Sequence, residues 1–318
     1  MNWQIDGFSE LGVCVEDPDY WVDFFRDIGG WEVLWTGENY PSSQSHWPIT
    51  RHRLMKETLL EAPGSSSGRI RLFHDVDGDS PNIHLGNRVV DSGGIYDFDV
   101  RTSDLMSIRQ RMLSSGWVAV SDPIEWSVGD SRVLEWLAVG PHQVVTAIVQ
   151  RLDPPLADPP AAGGFGSAFN STQVVQDLHQ SGAFYRSLGF SPIFEHHGPL
   201  PGRGGEVLGL SAHEAPQTPV DMIILSVNGE LDGSVELIRL PNHAGRNEQS
   251  RALPNNRGLN LLRFPVSGLS ALAEHAQKSG LAERALVHES ELAPYGTAQH
   301  LNLVSPDGAW LEFYELVS

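Results

Sequence analysis

One segment of this chain is written four times. Each copy has a short β-rich run, a helix-entry residue, an amphipathic helix and then further strands. The first reads GVCVEDPDYWVDFFRDIGGWEVL (Gly12–Leu34) and the second DFDVRTSDLMSIRQRMLSSGWVAV (Asp97–Val120). The third reads STQVVQDLHQSGAFYRSLGFSPIF (Ser171–Phe194) and the fourth LLRFPVSGLSALAEHAQKSGLAE (Leu261–Glu283). The helix-entry residues Asp17, Asp104, Asp177 and Gly268 recur every roughly 70–90 residues. That period is longer than a solenoid repeat, so each copy is a half-domain and pairs of copies enclose a cleft.

The punctuation of the first copy is explicit. Glu16-Asp17-Pro18 supplies an acidic cap with proline in the first turn. Phe24, Phe25 and Ile28 follow at helical spacing, and Gly29-Gly30 ends the helix. Strand patterns follow over Gly30–Thr36, His52–Glu61 and Gly68–Val76. In the second copy they are Arg132–Val139 and Gln143–Leu152; in the third, Pro219–Asn228 and Gly233–Leu240. The fourth closes with HLNLVSPDGAWLEFYEL (His300–Leu316), where Pro306-Asp307-Gly308 is a hairpin turn. The stretch DPPLADPPAAGGFG (Asp153–Gly166) has no periodicity and reads as a linker. The expected organisation is therefore α+β: four βαβββ modules, with modules one and two in residues 1–152, a linker at 153–166, and modules three and four in residues 167–318.

The charge balance narrows the partners. A formal net charge of −19 repels phosphate backbones, so nucleic acid is excluded as a partner. No apolar run approaches the length of a membrane span. MNWQIDGFSE has neither the basic nor the apolar region of a secretory leader, and Cys14 is the sole cysteine, so a cytoplasmic protein without disulfides is expected. Cys14 lies mid-strand among apolar neighbours and reads as a buried thiol. The polar, glycine-rich segments Gly198–Gly209 and Pro241–Gly258 are loops, each placed where a lid over a cleft would hang.

The segments GVCVEDPDYWVDFF, VVQDLHQSGAFYRSLGF and SPDGAWLEFYEL resemble the vicinal oxygen chelate superfamily, which includes glyoxalase I, extradiol dioxygenases and bleomycin resistance proteins. The resemblance covers nearly the whole chain. It implies two glyoxalase-like domains whose curved mixed sheets face a cleft, with a divalent metal, where present, held by the first and last strands of each module. The corresponding first-strand positions here are Glu10, Asp97, Asn170 and Leu261, or Asn260 if Pro265 introduces a bulge. The last-strand positions are Arg71, Thr146, Glu236 and Glu312.

A guanidinium at a ligand position expels a cation, so Arg71 is expected to pair with Glu10 or Asp97. Asn170, Glu236, Asn260 and Glu312 form a hard oxygen set without imidazole, suited to Mg²⁺, Mn²⁺ or Ca²⁺ rather than Zn or Fe. Without a metal, Glu236 and Glu312 converging in a dry cleft would raise one pKa and make an acid/base couple. The candidate site is thus Glu312 and Glu236 as catalytic groups, with Asn170 as a third metal ligand. Asn170, Asn260 and Tyr295 are candidate substrate contacts. Ion pairs to Arg239 or Arg263 are the plain structural alternative for the two glutamates. By strand alternation Trp310 and Phe313 are taken to point away from the face of Glu312, and the Glu195-His196-His197 cluster to splay apart. The function implied is a glyoxalase-like lyase or isomerase acting on a small oxygenated or carbonyl compound. The alternatives are a resistance-type binding protein without catalysis and, disfavoured by the missing histidines, a divergent dioxygenase. The sequence leaves the module pairing open, and with it a monomer or a homodimer.

Overall fold

The computed structural model describes residues 2–39, 54–78, 80–161 and 163–317; His52 and Arg53 of the expected second strand lie outside them. Module one contains β1 (Gln4–Ile5), β2 (Glu10–Val15), α1 (Pro18–Asp23, continued by a wider turn to Gly29), β3 (Glu32–Asn39), β4 (Met55–Glu61) and β5 (Arg69–Asp75). Module two has β6 (Asp97–Thr102), α2 (Leu105–Ser114), β7 (Val118–Ala119), β8 (Ile124–Val128), β9 (Ser131–Val139) and β10 (Val145–Asp153). Module three has β11 (Phe165–Val174), α3 (Leu178–Leu188), β12 (Ser191–His196), α4 (Gly204–Val207), β13 (Asp221–Ser226) and β14 (Ser234–Arg239). Module four has β15 (Gly258–Ser267), α5 (Leu269–Lys278), β16 (Val287–Leu292), β17 (Gly296–Val304) and β18 (Trp310–Leu316).

The four helix entries work as their residues dictate. Asp17, Asp104 and Asp177 each accept a hydrogen bond from the backbone N–H three residues on, at 3.1, 3.1 and 3.0 Å. These satisfy donors that the first helical turn leaves open. Gly268 has no side chain to do this. It takes a left-handed conformation (φ 79°), and a Cβ there would lie 2.5 Å from the Asn2 carbonyl oxygen. The carboxylate of Glu315 caps that helix instead, accepting from the N–H groups of Gly268 and Leu269 at 2.9 Å each.

The sheets do not follow the chain halves. One nine-stranded sheet runs β16-β17-β18-β15-β2-β5-β4-β3, with β1 on β15; the other runs β12-β13-β14-β11-β6-β10-β9-β7, with β8 on β9. Module one therefore joins module four, and module two joins module three, in place of the one-two and three-four domains read from residues 1–152 and 167–318. The junctions are antiparallel pairs of first strands, with Glu10 opposite Arg263 and Asp97 opposite Thr172. The physical reason lies in those contacts. Every module presents a similar open edge, so the partner is selected by cross-strand side chains, which a repeat pattern does not encode.

Alternation along the strands sends one face of each sheet to a common core and the other to a cleft. Leu11, Val13, Ile70, Leu72, Phe98, Val100, Ile148, Leu311 and Phe313 join the buried faces of α1, α2, α3 and α5 in one hydrophobic cluster spanning both sheets. Aromatic contacts stitch it across modules: Phe24 stacks on Trp117 at 4.6 Å and Phe190 meets Phe264 edge-on at 5.7 Å. The linker is fastened at its end. Phe165 is buried against this cluster, its carbonyl accepts from the Trp31 indole at 3.0 Å, and Thr102 donates to the Gly164 carbonyl at 2.8 Å. No helix among the described residues is long and apolar enough to cross a membrane.

Because each sheet draws on both halves of the chain, residues 1–152 and 153–318 made as separate chains are each expected to lack a cooperative thermal transition. Mixing them should restore one, together with the native far-ultraviolet circular dichroism. A cooperative melt for either half alone would contradict this pairing.

Candidate functional site

The cleft of modules one and four is filled by its own charges. Glu10 on β2, Glu57 on β4, Arg71 on β5, Arg263 on β15 and Glu312 on β18 are all buried. Arg71 forks onto both oxygens of Glu10, at 2.8 and 3.0 Å, and donates to Glu57 at 2.9 Å and to the Ala293 carbonyl at 2.9 Å. Arg263 donates to Glu312 at 2.5 Å and also to Glu10. Burial alone would raise the Glu10 pKa, but Arg71 and Arg263 hold it down to about 2. The pairing of Arg71 with Glu10 is the one its position suggested, and Glu312 takes its plain alternative, Arg263. His300 lies 3.4 Å from Glu312, on the oxygen that already accepts from Arg263.

Two other expected site residues, Asn260 and Tyr295, are otherwise occupied, and Trp310 turns to the face it was expected to avoid. The bulge of β15 falls between Leu259 and Leu261, at Asn260 rather than at Pro265. The Asn260 amide is turned to the Pro254 carbonyl, so it does not meet Glu236. Tyr295 accepts from Arg69 at 3.1 Å, with the guanidinium 5.7 Å from its ring, and hydrogen-bonds Glu10. Trp310, two residues before Glu312, shares its face and packs on Cys14, Met55, Phe73 and Leu261. Only Phe313 turns to the core. Cys14 is buried, and its thiol donates to the Asn255 carbonyl at 3.6 Å.

The cleft of modules two and three is the electrostatic opposite. Asp97 and Asp99 on β6, Glu135 on β9 and Glu236 on β14 line one cavity of about 160 Å³. Among the described residues none of these four carboxyls is in an ion pair. The cavity walls are largely apolar, with Trp126, Val133, Leu137, Phe169, Met222 and Ile224 among them. Burial, followed by the repulsion of Asp97 and Glu135, raises Glu236 to about 8. Burial raises Asp97 and Glu135 each to about 7. Asp99 is raised well above the carboxylate range by burial and by Asp97, Glu236 and Glu135. A raised glutamate was expected from convergence with Glu312. Its partners are instead Asp97, Asp99 and Glu135, because Glu236 and Glu312 stand in different sheets.

Asn170 sits between the acids, but not as a metal ligand. Its carbonyl oxygen accepts from the Ser171 backbone N–H at 2.9 Å and from the Ser234 hydroxyl at 3.0 Å. A backbone N–H can only donate, which fixes the amide orientation. The amide nitrogen therefore faces Glu236 and Asp99, at 3.3 and 3.4 Å, as a donor. Thr146 is absent from this cleft. It pairs with the Phe98 carbonyl at 3.0 Å on the core side of β10, where Val145, Ala147 and Val149 hold the cleft positions.

Neither cleft presents a donor set suited to a divalent ion. In the module one–four cleft two guanidiniums stand where the cation would, so the residues do not fit. In the module two–three cleft an amide N–H₂ points at the carboxyls. Among the described residues no group of three or more His, Cys, Asp or Glu side chains is placed to hold a metal. Glu195, His196 and His197 splay apart to Arg186, to the carbonyls of Gly198 and Pro199, and to Asp221. Asp99 and Glu135 were not foreseen. Alternation carries the signal for both, since Asp99 is two residues from Asp97, and Glu135 lies two from each of Val133 and Leu137.

Two clefts lined from the first and last strands of paired βαβββ modules decide the architecture. The chain has the vicinal oxygen chelate fold. Glyoxalase I of Zea mays superposes on this fold with a TM-score of 0.64 over 98% of this chain and 93% of that one, at 13% identity. A single-site mutant of the same enzyme gives 0.65 and 14%, over the same shares. A Bacillus subtilis protein with a provisional dioxygenase assignment gives 0.58 over 98% and 86%, at 10% identity. Neither a protein-family model nor a curated protein sequence matches the chain.

The two clefts of this vicinal oxygen chelate fold respond oppositely to pH. Glu10 is depressed, so its contribution to stability is complete above the ordinary 4.5 and is lost as pH falls toward 2. The module two–three carboxyls are raised, so the folded chain holds protons that the unfolded chain has released. Stability then falls as pH rises from about 4 through about 8. The melting temperature measured by calorimetry should decline between pH 5 and pH 8.5, and Glu236→Gln should flatten that decline. Glu10→Gln should destabilise by about 3–5 kcal/mol at pH 7, because it leaves Arg71 and Arg263 short of a buried partner. Urea titration would measure it.

Proposed function

We propose that this chain is an enzyme of the lyase or isomerase kind, which moves a proton on a small oxygenated or carbonyl compound in the cleft of modules two and three. The single observation that carries this reading is the cluster of Asp97, Asp99, Glu135 and Glu236 in one apolar-walled cavity, without ion-pair partners among the described residues. Their pKa values lie at and above neutrality, with Asp97 near 7 and Glu236 near 8. Such a split provides a neutral carboxylic acid beside a carboxylate at one pH. The ionised member takes a proton from the carbon next to the carbonyl. The neutral member and the Asn170 amide donate hydrogen bonds to the carbonyl oxygen as negative charge builds there. The proton then returns to the neighbouring carbon, or a leaving group departs from it. Glu312 is outside this scheme, since its charge is committed to Arg263.

A second reading, binding without turnover, is favoured by the enclosure of the cavity. The segment of residues 198–209, expected as a candidate lid, places Leu200, Gly204, Val207 and Leu208 on the cavity wall. A partly covered, mostly apolar hollow is also what a sequestering protein needs.

The two readings separate in deuterated water. Proton nuclear magnetic resonance would follow exchange of the hydrogens next to the carbonyl in a panel of small 2-hydroxyketones and 2-oxoaldehydes. Exchange is expected with the wild type, and a loss of about 10²–10⁴-fold in Glu236→Gln with the fold retained. Ligand-induced thermal stabilisation with no exchange across the panel would leave the binding reading in its place. The enclosure makes its own prediction. A Cβ on Gly204 would lie 2.5 Å from the Trp126 ring. Gly204→Ala should therefore lift the segment and weaken ligand binding by about tenfold, measured by titration calorimetry.

A further inference from the structure

The cavity of modules two and three also constrains the charge of what enters it. Six ionisable side chains face it: Asp97, Asp99, Arg101, Glu135, Arg151 and Glu236. Arg101 is already committed. Its guanidinium pairs with Asp232 at 2.6 Å and stands 3.8 Å from the centre of the Phe169 ring. Arg151 alone remains against four carboxyls. The wall polarity is thus acidic in excess, in a place where an unpaired charge is costly.

One atom shows where compensation is missing. Asp99 is only 8% exposed and lines the cavity; its carboxyl is in hydrogen-bond contact with that of Asp97, and among the described residues no N–H or hydroxyl group donates to its second oxygen, Oδ1. The other oxygen, Oδ2, meets the Asn170 amide at 3.4 Å. Buried polar atoms are rarely left unpaired in native proteins, and such an orphan marks a group that a ligand would supply. A ligand that donates to this oxygen and carries positive charge would let the clustered acids ionise together, which they do not do alone.

The remainder of the wall decides which kind of cation. Trp126, Phe169, Leu200, Val207, Met222 and Ile224 surround the acids with apolar and aromatic surface. A hydrated divalent ion gains nothing from such walls, and the Asn170 N–H₂ group opposes it. An ammonium carried on a hydrocarbon frame satisfies both parts. Its N–H groups meet the carboxylates, its charge lies beside aromatic faces, and its frame covers the apolar wall. The geometry points to a small lipophilic primary amine, protonated in solution, as the ligand class of this cavity, with Asp99 Oδ1 and Glu236 as its anchors. This inference rests on the proposal that the module two–three cleft is the functional site. It adds that the oxygenated compound handled there also bears an amine.

The test uses the full chain and three probes of one shape: benzylamine, benzyl alcohol and benzoate. Titration calorimetry at pH 8 and physiological salt should show benzylamine binding at least about tenfold more tightly than benzyl alcohol, with no binding of benzoate. Asp99→Asn, its melting temperature checked first, should weaken benzylamine by at least about tenfold. That loss separates the cavity from a general attraction to the net charge of −19. Equal affinity for amine and alcohol, or a preference for benzoate, would overturn the inference. So would stabilisation by Mn²⁺ without stabilisation by benzylamine, which would make the cluster a metal site. Carbonyl exchange that persists in a protein indifferent to amines would remove this inference alone, while amine binding without exchange would remove only the catalytic reading.

Discussion

Two antiparallel junctions, β2 against β15 and β6 against β11, determine what each hollow of this molecule contains. Each sets a first-strand acid of one module against the first strand of another. At the β2–β15 junction the opposing strand brings Arg263, and β5 brings Arg71, so Glu10 is saturated by guanidinium. At the β6–β11 junction the opposing strand brings Thr172 and Asn170, which offer hydrogen bonds but no charge. One geometry thereby yields a neutralised hollow and an acidic one. In a poorly polarisable interior that difference is amplified, which is why the carboxyls of the two hollows shift in opposite directions.

The residues that act locally were legible in the sequence. The caps at Asp17, Asp104 and Asp177 are set within one helical turn, and the strand patterns by alternation over a few positions. Gly268 could be read as an entry residue, but its cap, Glu315, is 47 positions away and carries no local signal. The site failed for the same reason on a larger scale. Glu236 and Glu312 occupy matching places in their modules, yet a match in the repeat does not place two residues in the same hollow. That depends on which first strands meet, a long-range choice made by Glu10 with Arg263 and by Asp99 with Asn170. Asn170 stands beside Glu236, but in a hollow shared with module two, and the direction of its amide is fixed by the N–H of Ser171. Asp99 and Glu135 lie within reach of alternation, two residues from Asp97 and from Val133 and Leu137, whereas resemblance points to other positions. Thr146 is one of these, and a one-residue offset sends its side chain to the opposite face.

The charges of the filled hollow need not be there for stability. A buried ion network of this kind is often no more stabilising than well-packed apolar residues of the same volume, although removing one member is costly. Its evident effect here is geometric. Glu10 binds Arg71 of its own module and Arg263 of module four, so a single carboxyl holds the two modules in register.

The segment of residues 198–209 joins β12 to β13, and β12 is the outermost strand of its sheet. Leu200 and Val207 belong to the smaller apolar cluster around the cavity, apart from the large one that unites the sheets. The cover of the acidic hollow thus hangs from a margin of the fold. Changes in its length or composition would alter which molecules are admitted while leaving the foundations undisturbed, so selectivity in this architecture is free to drift where folding does not follow.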